Sequence, residues 1–269
     1  MALMTASAPA WEPLTPRGVA TFAHAPFSRL LLVQFIVALL IAASVAWFLY
    51  DGCFPTLRKA IHNLPAAGEI RSGRLDLSGD SPQLLAEGRF LAFDIDPNHS
   101  GQIHSTADVQ IEFGGETIRV FSLLGYAEFQ YPSGLIILFN RTELEPLWGA
   151  WTAEILLVAA AATVVGLLLG WAALATLYCL PVWASGCFTG RDLDFCASWK
   201  LSGAALMPGA LLMAAVIFFY DFGALNLVQF SFVFGAHFVL GWIYLFVSLP
   251  FAPRLAPAPP GGNPFVPRN

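Results

Sequence analysis

The sequence predicts a membrane α-helical bundle of four transmembrane helices, with a small antiparallel β domain inserted outside the membrane between the first two. Three observations lead there. Apolar residues make up 57% of the chain and charged residues 12%, against roughly 45–50% and about 25% in soluble domains. Four stretches run about 20 residues or more without an internal charge, enough at 1.5 Å per residue to cross a hydrocarbon core of about 30 Å. The charges are also segregated: seven of the 13 Lys and Arg and 12 of the 18 Asp and Glu fall between Gly52 and Ala150.

Residues 1–28, with Pro9, Pro13, Pro16 and Pro26 and no apolar period, read as a disordered tail. The first helix, 29–50, has an uncharged stretch from Leu30 to Tyr50. Arg29 marks one end; Trp47, Tyr50 and Asp51 mark the other, where aromatic side chains suit the membrane interface. Ser44-Val45-Ala46 has the small-x-small pattern of a signal-peptide cleavage site. The long preceding tail, and an apolar stretch that continues past Ala46, favour a retained anchor instead. Residues 51–150 form the outside domain, and 151–249 carry the second, third and fourth helices at 155–180, 201–220 and 225–249. Pro181 is expected to close the second. Residues 250–269 hold seven prolines and two adjacent glycines and read as another disordered tail.

Orientation follows from Lys and Arg in the short segments. Arg17 and Arg29 precede the first helix, Arg191 and Lys200 separate the second from the third, and Arg254 and Arg268 follow the fourth. The turn between the third and fourth carries only Asp221. Four spans put all three basic segments on one side, so both termini are expected to be cytoplasmic and the inserted domain extracytoplasmic.

Within that domain, Val109, Ile111 and Phe113 alternate with Asp108, Gln110 and Glu112; Ile118 and Val120 then alternate with Thr117 and Arg119. Gly114-Gly115 between them predicts a two-residue hairpin turn with positive φ at both glycines. That register pairs Ile111 with Ile118 and Val109 with Val120. Further strands are expected at 69–77, 84–95, 126–131 and 135–140, with Pro132-Ser133-Gly134 turning between the last two. Pro55–Leu64 has apolar residues at helical spacing and reads as a short amphipathic helix leaving the membrane. It, or the membrane surface, would cover one face of the sheet.

Several groups are candidates for chemistry. Asp94, Asp96 and Asn98 place oxygen ligands at alternate positions, as a calcium loop begins, but His99 stands where such a loop needs glycine. The stretch is therefore either an ordinary turn or a metal or polar-ligand site that includes His99, His104 and Asp108. His237 lies near the middle of the fourth helix, and Gln34 and Gln229 are the other intramembrane polar groups. With no charged residue in any helix core, hydrogen bonding between helices is the expected role of these three. Gly166 and Gly170 form a GxxxG suited to close helix packing, either with a partner chain through the membrane helices or within the bundle. Pro208-Gly209 should kink the third helix and leave the Ala204 carbonyl to find another donor. Of the four cysteines, Cys53, Cys179, Cys187 and Cys196, the last two have poor spacing for zinc and no histidine nearby. The nucleophile, metal-hydrolase, nucleotide and dinucleotide motifs do not occur, so no cofactor is expected. No basic run exists to neutralise nucleic-acid phosphates, which excludes nucleic acid as a partner.

Phe54-Pro55 and Leu64-Pro65 after the first helix, the strands that follow, and Met207-Pro208-Gly209 within Trp199–Phe219 resemble a family of bacterial multi-pass membrane proteins. That family has been labelled maltodextrin-utilisation proteins, and its helices are related to those of Yip-type proteins. The resemblance implies a bacterial inner membrane and carries over no activity and no site residues. The expectation is a non-enzymatic accessory, assembly or sensing component in a lipid bilayer, whose outside domain binds a protein partner or ligand. A transport component using the polar residues of the fourth helix is the alternative, and an intramembrane enzyme the third.

Overall fold

The computed structural model describes residues 12–77 and 81–255. Four helical segments are long and apolar enough to cross a membrane: Phe27–His62, Arg141–Thr189, Phe195–Asp221 and Leu227–Phe251. The chain divides into two compact units. One comprises residues 1–41, 164–213 and 234–269; the other comprises 42–163 and 214–233.

The first unit begins inside the expected disordered tail. Thr15 accepts a hydrogen bond from Gly18 N at 3.0 Å and Pro16 occupies the first helical position, a start signal that needs no apolar period. Helix α1 (Pro16–Thr21) and a 3₁₀ turn (Phe22–His24) follow, with Val19 and Phe22 fully buried. The tail reading is thus corrected for residues 16–24, while 1–11 lie outside the described residues. Helix α2 (Phe27–Phe48) comes next. At the other end of the chain, Arg254 bridges to Arg191, whose Nη1 donates to the Ala252 carbonyl at 2.7 Å. This orders the start of the segment expected to be a tail; residues 256–269 lie outside the described residues.

Two helix boundaries differ from expectation. Helix α4 is Arg141–Thr189, 49 residues, and runs through Pro181 rather than ending there. The missing proline N–H is tolerated because Cys179 and Val182 are fully buried on either side of it, so packing holds the helix where one backbone bond is lost. The third span, expected as one helix at 201–220, is two: α5 (Phe195–Ala205), capped by Asp194 on Ala197 N at 2.6 Å, and α6 (Met207–Asp221). The break falls at Leu206, whose N–H turns to the Ala204 carbonyl. Pro208 therefore sits in a first turn, where no intrahelical N–H bond is required. Helix α7 (Leu227–Ser248) completes the set.

The second unit contains the β strands. A π turn (Leu49–Cys53) leads into helix α3 (Phe54–His62), as the amphipathic spacing predicts. The strands are β1 (Gly68–Arg71), β2 (Arg74–Leu77), β3 (Gln83–Glu87), β4 (Leu91–Ile95), β5 (Val109–Phe113), β6 (Thr117–Ser122), β7 (Gly125–Gln130) and β8 (Ile136–Ile137). They form a three-stranded sheet in the order β2-β1-β8 and a five-stranded sheet in the order β3-β4-β5-β6-β7. The strand expected at 69–77 is a hairpin, turning at Ser72 (φ 50°) and Gly73 (φ 77°). The strand expected at 84–95 is likewise a hairpin, turning at 88–90. Only Ile136–Ile137 of the expected 135–140 strand forms, and it pairs with β1 in the other sheet rather than with β7. Neither sheet extends to residue 150, because α4 already begins at Arg141.

The domain is also not wholly antiparallel: β4 and β5 pair in parallel, Leu91 opposite Val109 through Ile95 opposite Phe113. A parallel pair needs a crossover, and residues 96–108 supply it. Helix α3 covers one face, where Ala60 and Leu64 join Leu85, Ala86, Phe93 and Ile95 in a buried core flanked by Ile111 and Phe113.

The 88–90 turn fixes this domain to the helix ends of its own unit. Phe90, 6% exposed, has its ring 4.9 Å from those of both Phe48 and Tyr220. Arg89 Nη2 donates to the Leu225 carbonyl at 2.6 Å, and Tyr220 OH donates to Asp108 Oδ2 at 2.5 Å. Trp47 Nε1 donates to Asp221 Oδ2 at 2.9 Å. A side chain at Gly52 would meet both the Phe90 ring and Asp221.

Candidate functional site

The other face of the sheet carries the polar chemistry. The alternation that turns Ile111 and Phe113 toward α3 turns Gln110 and Glu112 the opposite way, beside Asp94 across the parallel register. The 96–108 crossover lies over them, and Asp94, Asp96 and Glu112 are 0%, 2% and 4% exposed. Buried carboxylates require partners, and the crossover provides most of them. Asp96 Oδ2 accepts from Ser100 Oγ at 2.7 Å and Gly101 N at 3.2 Å, and its Oδ1 from Asn98 N at 3.3 Å. Burial raises the Asp96 carboxyl, but these hydrogen bonds outweigh it and leave the group below the usual carboxylate range. His99 Nδ1–H donates to Glu112 Oε1, and His99 Nε2 lies 2.9 Å from Thr117 Oγ1. Gln110 Nε2 donates to Asp94 Oδ1 at 2.9 Å and to the Ile103 carbonyl at 3.3 Å. At the far end, Ser105 Oγ and Thr106 N both donate to Glu87 Oε1, at 2.7 and 2.9 Å, holding that carboxyl low.

Asp94 is the exception. Its Oδ2 is buried with no hydrogen-bond partner. Burial is the main cause that raises its carboxyl to about 6, the Gln110 bond opposes it, and the Glu112 and Asp96 charges add to it. The group is an acid held part of the way toward neutrality beneath a fastened loop.

The glycines of the β5–β6 turn are explained by the same loop. Phe113 pairs with Ile118 and Ile111 with Val120, so the turn centres on Gly115-Glu116, one residue later than expected. Neither Gly114 nor Gly115 has the positive φ expected of it. A Cβ on Gly114 would instead fall on the His99 ring, and one on Gly115 would come within 3.1 Å of the Pro97 carbonyl. The glycines make room for the crossover. Gly114→Ala should displace His99 from Glu112, costing about 1–3 kcal/mol for the stranded buried acceptor. Thermal unfolding of the full chain in micelles checks this. Adding Gly114→Ala to His99→Ala should cost far less than Gly114→Ala alone, because the ring is already gone.

The candidate ligand residues are thus only partly brought together. Asp94, Asp96 and His99 meet, joined by Gln110, Glu112 and Thr117. The Asn98 side chain and His104 are exposed, and Asp108 is engaged by Tyr220. Among the described residues no three His, Cys, Asp or Glu side chains are arranged to hold a metal ion. Glu112 was hidden from sequence reading because it occupies an outward position of an amphipathic strand. The one usable signal was Gly-Gly beside a histidine-bearing loop.

No family profile, curated protein or solved structure matches the chain. The site is therefore read from its own geometry.

The intramembrane polar candidates do not converge either. Gln229 exchanges hydrogen bonds with Asn226 (2.8 and 3.0 Å) and caps the start of α7. His237 Nδ1 bonds the Phe234 carbonyl of its own helix. Gln34 is 3% exposed and its Nε2 has no partner. The expected hydrogen bonds between helices are not made by the Gln229 or His237 rings and amides. Close packing falls to Gly209, where a Cβ would lie 2.8 Å from the His237 carbonyl oxygen. A Cβ on Gly166 or Gly170 would meet nothing within 4 Å, so this GxxxG is not used for packing among the described residues.

Proposed function

We propose that this chain is a multi-pass bacterial inner-membrane protein whose extracytoplasmic β domain binds a protein partner in a non-enzymatic accessory, assembly or sensing role. The observation that carries the reading is the state of strand β7. Open sheet edges attract other strands, and proteins ordinarily defend them with bulges, prolines, short length or charge. Edge strand β3 has a bulge between Leu84 and Ala86 and Pro82 just before it. Edge strand β2 is four residues long and carries Arg74 and Asp76. Strand β7 pairs with β6 without a bulge over six positions, has no proline, and all six residues are exposed, Tyr126 at 62% and Phe129 at 57%. Its single charge, Glu128, is engaged by Arg119 at 3.1 Å. Such an edge suits an extended segment of another protein adding as a further strand.

The membrane reading rests on the four long apolar helices. The proposed orientation is supported by charge: Arg17, Arg29, Arg191, Lys200 and Arg254 all belong to the first unit, and an excess of Lys and Arg in short segments marks the cytoplasmic side. Binding is favoured over catalysis because Asp96 and Glu112 are consumed in fastening the crossover. Transport is disfavoured because His237 bonds within its own helix.

A photocrosslinking residue at Phe129, tested in native membranes, should give a discrete adduct with another protein. The same residue at Asp76, on the charged edge, should not. Adducts at neither position, or only with copies of this chain, would remove the accessory reading.

A further inference from the structure

The β6–β7 hairpin ends in two leucines. Leu124 is 97% exposed and Leu123 53%, at a tip where turns ordinarily carry Gly, Asn, Asp or Ser. Their place in the unit is fixed by strand direction. Strand β4 begins beside Arg89 and Phe90, and β5 begins beside Asp108; these three residues engage Leu225 and Tyr220 at the α6–α7 turn. Because β6 is antiparallel to β5, its C-terminal end, and with it the tip, lies at the same edge of the sheet. Accordingly Phe121, Ser122 and Leu123 line one cavity of about 490 Å³ together with Asn226, Leu227 and Val228 at the start of α7. The opposite end of β6, at Glu116, is about 20 Å away at 3.4 Å per residue.

We propose that Leu123 and Leu124 insert into the outer leaflet of the bilayer as a hydrophobic foot, so that the partner of this surface is lipid hydrocarbon. The proposal rests on the reading that the four helices cross a membrane. Three features support it. The tip is level with the first turn of an apolar helix, where the interface of a surrounding bilayer falls. Exposed apolar surface lies beside the tip at Val228 (58% exposed), which lines the same cavity as Leu123. The two leucines bring no charge to be desolvated on entry, the nearest acid of the strand, Glu128, being held by Arg119. The foot adds a contact with the bilayer at one end of the sheet while the edge of β7 stays open along its length.

The test uses the full chain in lipid nanodiscs, with the exposed Cys187 and Cys196 replaced by serine. A nitroxide is attached at Leu124→Cys, at Leu157→Cys on α4 (71% exposed), or at Glu116→Cys. Collision rates with oxygen, which concentrates in hydrocarbon, are compared with those of a water-soluble nickel chelate. Leu124 and Leu157 should both favour oxygen, and Glu116 should favour the chelate. If Leu157 favours oxygen while Leu124 favours the chelate, the foot is overturned and the membrane reading stands. If Leu157 itself favours the chelate, the membrane reading falls and the foot falls with it. All three positions are on the surface, so each labelled chain should fold.

Discussion

Phe90→Ala should destabilise attachment of the β domain to its helix ends by about 3–5 kcal/mol, the cost of removing a buried aromatic side chain. The ring is 6% exposed and sits between Phe48 and Tyr220. No neighbour can easily collapse into the space, because Phe48 belongs to α2 and Tyr220 to α6. Amide exchange in the full chain, reconstituted in bilayers, would show the change. Protection should fall in Gln83–Ile95 and around Tyr220 while α5 stays unchanged. Loss confined to the 88–90 turn would mean that the attachment rests mainly on Arg89 and Asp108.

The second large effect is electrostatic and its size depends on pH. A carboxyl raised by folding makes its full contribution below its unfolded pKa and loses it as pH rises through the folded value. For Asp94, raised from 3.8 to about 6, that window runs from about pH 4 to pH 6. Two units correspond to roughly 3 kcal/mol. Asp94→Asn keeps an oxygen for Gln110 and removes the charge, so it should be the more stable form at pH 7.5, by up to about 3 kcal/mol. The advantage should vanish below pH 4. Asp96 behaves oppositely: its lowered carboxyl contributes stability that is lost as pH falls. The informative quantity is therefore the difference in melting temperature between Asp94→Asn and the parent at each pH. A difference that does not vary with pH would show that the ionised carboxylate is not strained by its burial.

Much of the fold was legible because it is written in long apolar runs and strict alternation. Apolar helical segments cover the expected spans 29–50 and 201–220, the second of them as two helices, and 225–249 from Leu227 onward; Val109–Val120 is a hairpin with its apolar residues on one face. What escaped depended on partners distant in sequence. Pro181 looked like a terminus because the burial of Cys179 and Val182 is a tertiary fact. The expected strands 69–77 and 84–95 each contain a turn, at Ser72-Gly73 and at Gly88-Arg89-Phe90, because apolar residues suited to a strand stand on both sides of it. The Gly114-Gly115 register slipped because the glycines answer to His99 and Pro97 rather than to backbone dihedrals. At the candidate site, Asp94, Asp96 and His99 were visible as a polar run, but Glu112 and Gln110 became their neighbours only through parallel pairing.

That strand order also governs when the domain can finish folding. Strand β1 is complete once Arg71 has been made, yet one of its neighbours is Ile136–Ile137, paired through Ile70 and Ile137. At ordinary synthesis rates the 66 residues from Ser72 to Ile137 take roughly 3–13 s to appear. For that interval the nascent chain carries a strand with one side unclaimed, although β1–β2 and the local hairpins can already have closed. A ribosome halted before Ile136 would leave the smaller sheet without its third strand and the chain without α4 to α7, so that neither Tyr220 nor Leu225 would be there to receive the 88–90 turn.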